Sequence, residues 1–93
     1  MKKPTILVVQ GGFYYFGDEV ASPQPGYVCI TAGSMFGGFS GGKGLPGVAR
    51  GDASAKVTLD RFEPSSVLTF PESAVLGILP CIDLYEFKGT TLR

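Results

Sequence analysis

The stretch TILVV, residues 5–9, decides the fold class of this chain. Four of its five residues are β-branched, and such side chains pack well on a pleated sheet. Every residue after Thr5 is apolar, which is typical of a strand that is covered on both faces. Gly11 and Gly12 then end the run. We therefore predict a buried strand at residues 5–9.

Short pieces of the same kind follow, separated by glycine and proline. No window of helical length that is free of Gly and Pro has apolar residues at i, i+3, i+4 and i+7. A proline-rich loop at 21–26 connects two strands of a predicted antiparallel hairpin. Residues 71–74, which begin Pro-Glu, are predicted as one helical turn. Further strands are predicted at residues 13–16, 27–31, 56–63, 67–70, 74–79 and 82–87, the last covered on both faces.

These elements predict an all-β fold, with residues 1–93 forming a single domain. We expect a small β-barrel or sandwich of about six short, mainly antiparallel strands. A long glycine-rich loop is predicted at residues 37–51, which hold seven of the fourteen glycines.

Composition narrows the classes of function. Eight basic and eight acidic side chains give a net charge of zero, which removes the simplest electrostatic case for nucleic acid. A 93-residue chain that is 44% hydrophobic has difficulty burying all of its apolar surface as a monomer. We therefore expect self-association, with a homodimer as the leading assembly and a small protein partner as the alternative.

Histidine is absent, so the commonest general base and the commonest metal ligand are missing. The two cysteines, Cys29 and Cys81, form no CxxC motif. We interpret them as small buried apolar groups, although a disulfide between them stays open. The sequence therefore predicts a protein that is not an enzyme and has no cofactor and no metal site.

The N-terminal segment begins like a signal peptide but does not continue like one. Two lysines precede the run at residues 6–9, which is shorter than the roughly 7 to 15 residues of a signal h-region. No stretch approaches the roughly 20 apolar residues of a transmembrane helix. We predict a cytoplasmic protein that does not enter the membrane.

The glycine-rich segment carries the candidate site residues. Residues 37–43 have the spacing GxxxxGK of a phosphate-binding loop, but Gly44 replaces the metal-binding Ser or Thr. The Leu-Pro-Gly that follows is not expected to begin a helix. Two interpretations remain open for the segment. It is either a structural loop or an anion-binding concavity that combines Lys43 and Arg50 with the backbone of Gly41, Gly42 and Gly44.

Phe36 and Phe39 flank the first glycine pair of this segment. Exposed aromatic rings mark protein contacts more often than nucleic-acid contacts when the net charge is zero, and otherwise such rings fill the core.

The first functional prediction is a non-catalytic interaction module that associates through apolar and aromatic surface, including Phe36 and Phe39. The alternative is a small barrel that binds an anionic ligand or single-stranded nucleic acid through Lys43 and Arg50.

Overall fold

The structure, a computed structural model, describes residues 3–93. Most of them lie in β-strands, so the predicted all-β class is confirmed. The elements in chain order are β1 Pro4–Val9, β2 Phe13–Val20, β3 Tyr27–Ser40, α1 Leu45–Arg50, β4 Lys56–Arg61, β5 Val67–Pro71, a 3-10 helix Glu72–Ala74, β6 Val75–Pro80 and β7 Thr90–Leu92. The predicted helical turn at 71–74 corresponds to the 3-10 helix and is confirmed.

The strands form one mixed sheet in the order β6-β1-β2-β3-β4-β7, and β5 pairs with the first half of β3. Every pair is antiparallel except β4 with β7. The hydrogen-bonded order does not close on itself, so the sheet is open. The finer expectation of a barrel or sandwich stays a prediction.

The antiparallel pairing of the second and third strands is confirmed, with longer strands than predicted. The chain continues through Gly17 and Asp18 in extended form, and residues 18–20 face residues 29–31. A loop over residues 21–26 connects the two strands, as the prolines predict.

Two predictions of secondary structure are wrong. Residues 82–87 form an irregular segment with a turn at 84–86 rather than a strand, because the Asp83 carboxylate accepts the Tyr85 amide hydrogen (3.0 Å) and so satisfies the backbone locally. Leu84 on this segment is nevertheless fully buried. The glycine-rich loop at 37–51 is divided between the end of β3, a turn at 41–44 and the helix α1. Leu-Pro-Gly does begin that helix, since proline at its first turn lacks an N–H that the helix would leave unpaired.

Side chains from β1 enter two separate cores, which confirms the strand covered on both faces. Ile6 contributes to a core beneath α1 and the 82–87 segment, together with Val48 and Leu84. Leu7 points to the other face. There it packs in a second core with residues of β3 and β5, including Ile30 and Leu68. Since two strands separate β1 from β5 in the ladder, the sheet must curl to bring them together.

No helix within residues 3–93 has the length and apolar character needed to cross a bilayer.

Candidate functional site

Phe36 and Phe39 lie on the same face of β3, although they are three residues apart. In a regular strand this spacing would place them on opposite faces. The β3–β4 register shifts between Phe36 and Gly38, so that Phe36 faces Leu59 and Phe39 faces Val57. Both partners are buried, and the irregularity therefore turns both rings toward the core.

The two rings form an aromatic cluster with Tyr14. Ring centroids lie 6.0 Å apart for Tyr14 and Phe36, 5.6 Å for Tyr14 and Phe39, and 5.9 Å for the two phenylalanines. Both phenylalanines are half-buried and pack against the core beneath α1. Tilted and edge-to-face pairs at these distances stabilise a fold beyond the area that they bury. The cluster therefore serves mainly as core.

The turn at 41–44 is closed against the segment that follows α1. Gly41 and Gly44 have φ values of 74° and 74°, in the left-handed region that favours glycine. The Gly42 amide donates to the Ser54 hydroxyl (3.0 Å), and the Gly44 amide donates to the Gly41 carbonyl (3.4 Å). These two amides are consequently committed to the fold itself rather than to a bound anion.

Arg50 and Lys43 differ in how their charges are compensated. The Arg50 guanidinium contacts both carboxylate oxygens of Asp52, at 2.9 and 3.4 Å. Lys43 is exposed and has no carboxylate within 4.0 Å among residues 3–93. The ion pair weakens the local positive field on which the loop prediction depends. Binding of an anion or nucleic acid at this loop stays a prediction.

The free edge of β6 presents a different kind of surface. Among the strands of residues 3–93, β6 is hydrogen-bonded to β1 alone, and none of its six residues is charged. Leu76 and Ile78 are 65% and 47% exposed. The Cys81 amide donates to the Pro4 carbonyl (3.2 Å), and bonded pairs alternate along an antiparallel ladder. Ile78 therefore directs its N–H and C=O away from β1, toward the free edge.

A groove runs along this edge where the curled sheet fails to close. Its cavity of about 180 Å³ is lined by Val28 of β3, by Leu76 and Ile78 of β6, and by Glu72 of the 3-10 helix, which is its one charged residue within residues 3–93. Ile78 lies on the same sheet face as Leu7, whose side chain is fully buried. The groove is thus an opening into the second core, and we call it the β6 seam.

The two cysteines are both free in the structure, and Cys29 is buried. Burial raises the pKa of the Cys81 thiol from 9.0 to about 12, with further increases from the negative charges of Asp83 and Asp18. Within residues 3–93, no group of three His, Cys, Asp or Glu side chains could hold a metal ion.

The sequence-based reasoning missed Leu76 and Ile78. The signal was present in the run VLGILP at 75–80, which has no charge and lies just after Pro71-Glu72. An apolar strand of this kind is ambiguous in sequence, because a central strand and an unprotected edge strand have the same composition.

Residues 3–93 thus form a mainly β structure with an open sheet and an apolar edge at β6. No family model, no curated protein and no solved structure matches this chain.

Proposed function

We propose that the protein is a small non-catalytic interaction module that binds a second copy of itself through the β6 seam. The observation that carries this proposal is the free, uncharged edge of β6 with its exposed Leu76 and Ile78. Natural sheets normally protect such an edge with charge, proline or a short strand, and of these β6 has only Pro80 at its end. The opposite edge has that protection, since β7 has only three residues and is followed by Arg93.

A second copy fits the β6 seam because an uncharged strand can pair with the same strand of another copy. An antiparallel pair of β6 strands, with Ile78 near the twofold axis, brings no like charges together across the new ladder. The outward N–H and C=O of Ile78 gain partners, and its side chain contacts its symmetry mate. Phe36 and Phe39, which the sequence predicts as association residues, pack against the core beneath α1 and take no part in this contact.

The test is light scattering coupled to size-exclusion chromatography over a wide concentration range. We expect wild-type protein at twice the 9.8 kDa protomer mass. Ile78→Lys should raise the dimer dissociation constant at least about a hundredfold, because each dimer loses two buried isoleucines and places two charged side chains in an apolar contact. Hydrogen exchange of the Ile78 amide should be slow in wild-type dimer and fast in the variant.

Val67→Lys is the matched control, since Val67 is 55% exposed on β5. It adds the same charge outside the β6 seam and should keep the dimer mass. A wild-type monomer at millimolar concentration would contradict the proposal, as would equal loss of dimer in the two variants. Thermal unfolding of each variant shows whether the monomer still folds.

The absence of histidine supports the non-catalytic part of the proposal, because it removes the side chain that most often transfers protons near neutral pH. A cytoplasmic location stays a prediction.

A further inference from the structure

We propose that a concavity on the outer face of β3, β4 and β7 binds the phosphate group of a small phosphorylated molecule. The cavity measures about 370 Å³, within the range of small-molecule sites. The cavity is not lined by any residue of the β6 seam, nor by Lys43 or Arg50. The polar side chains that line it are Ser40, Lys56, Thr58, Lys88 and Thr91.

The sheet register brings these side chains together. Ser40 faces Lys56 across β3 and β4, while Thr58 faces Thr91 across β4 and β7. Lys56 and Thr58 alternate with the buried Val57 and therefore point to the outer face. Lys88 joins them because the Val57 amide donates to the Gly89 carbonyl (2.9 Å), which holds the chain around Gly89 beside the start of β4.

The concavity exists because Gly38 has no side chain. This residue faces Thr58, and nothing lies within 4 Å of the position that its Cβ would occupy. Gly38, Thr58 and Thr91 thus form one row across the three strands, in which Gly38 has no side chain and the two threonines do. The gap at Gly38 leaves room for a ligand group between the hydroxyls and the lysines.

The charge balance of the cavity favours an anion. No carboxylate lines it, and neither Lys56 nor Lys88 has a carboxylate within 4.0 Å among residues 3–93. The nearby Arg93 is paired with Asp60 (2.8 Å) and contributes little net charge. Two ammonium groups and three hydroxyl donors suit a phosphate, whose several oxygens accept charge-assisted hydrogen bonds.

The test is an NMR titration of ¹⁵N-labelled protein with inorganic phosphate, ribose 5-phosphate and a thymidine octanucleotide, at constant ionic strength. We expect shifts at Gly38, Lys56 and Thr91, with ribose 5-phosphate binding more tightly than inorganic phosphate. Tighter binding of the octanucleotide, with a steep salt dependence, would assign the same phosphate chemistry to a nucleic-acid backbone.

Three variants make the test specific. Lys56→Ala with Lys88→Ala should weaken ribose 5-phosphate binding at least about tenfold, through the loss of two charge-assisted contacts. Gly38→Val should also weaken it while keeping both charges, because valine fills the gap and is compatible with a strand. Lys43→Ala with Arg50→Ala removes two cations that do not line the cavity and should weaken binding less than the loss of Lys56 and Lys88.

Equal weakening in the Lys43/Arg50 double variant would overturn the proposal in favour of general charge attraction. No saturable shift with any of the three probes would overturn it as well.

Discussion

The hydroxyl of Tyr85 donates a hydrogen bond to the carbonyl of Ala32, the one non-glycine residue with a positive φ (51°) in residues 3–93. A phenol has a single hydrogen to donate, so the Ser34 hydroxyl is the donor in the second contact of Tyr85 (2.7 Å). The two bonds attach the irregular 82–87 segment to the point where the β2–β3 register shifts. Burial raises the pKa of Tyr85, which keeps its hydrogen available to Ala32.

Tyr85→Phe should lower the free energy of unfolding by about 1–3 kcal/mol, because it leaves the fully buried Ser34 and the Ala32 carbonyl without this partner. Urea denaturation measures the change. Tyr27→Phe is the control, since Tyr27 is 41% exposed and should change stability by less than about 0.5 kcal/mol. Equal stability of the Tyr85 variant and wild type would contradict the role of this anchor.

Gly41→Ala and Gly44→Ala compare two reasons for glycine in the turn, which are the backbone conformation and the lack of space for a Cβ. Both residues have φ of 74°, which costs an alanine at least about 1–2 kcal/mol, and the ψ of −148° at Gly44 adds to the backbone cost there. A Cβ at Gly41 would also overlap the Ser54 carbonyl oxygen, whereas a Cβ at Gly44 meets nothing within 4 Å. We expect a clearly larger loss of unfolding free energy at Gly41, and thermal melts that rank the variants in the reverse order would refute this.

Cys81 should react slowly with a disulfide reagent at neutral pH, because its raised pKa of about 12 leaves almost no thiolate. The rate should rise to that of an ordinary thiol in denaturant. Cys29→Ala protein isolates the Cys81 signal, and rapid labelling of its folded state would contradict the expectation.

The same group predicts an alkaline loss of stability. Between pH 9 and about 12 the folded thiol holds a proton that the unfolded thiol has released. The contribution of Cys81 is therefore fully present below pH 9 and decreases as the pH rises through this window. Unfolding free energies of wild type and Cys81→Ala should converge toward high pH, and a constant difference would count against the shift.

Phe39→Ala should destabilise the fold by roughly 1–3 kcal/mol, below the cost at a fully buried site, because the ring is half-buried against Tyr14 and Phe36. Dimer mass should stay unchanged wherever the variant is folded. Dissociation without loss of monomer stability would instead place the association surface at this aromatic cluster, as the sequence suggests.

Much of the sheet was predictable because its signals are local. In the run at residues 5–9, the positions that face one side of the sheet and those that face the other both carry apolar side chains. Both faces of the strand are buried in the structure. Pro71 with Glu72 indicated the single helical turn, since proline suits a helix start. This strand and this helical turn depend on residues that are close in the chain, so the sequence pattern predicts them directly.

The errors fall where side chains and distant backbone compete with local preference. At Asp83 the carboxylate captures the Tyr85 amide and ends the alternation that resembled a strand. Within the glycine-rich segment, β3 continues through Gly37 and Gly38 because it pairs with β4 there. The residues of this segment alone do not show that β4 will pair with them.

The sequence by itself determined the all-β class, the strand at residues 5–9 and the lack of histidine chemistry, because composition and alternation act at short range. Only the tertiary structure decided that Arg50 is paired, that β6 is an open edge, and that Lys56 and Lys88 share a cavity. The order of the strands and the curl of the sheet decide which charged side chains come close together. They also decide which apolar side chains stay exposed. Those relationships join residues that are remote in the chain.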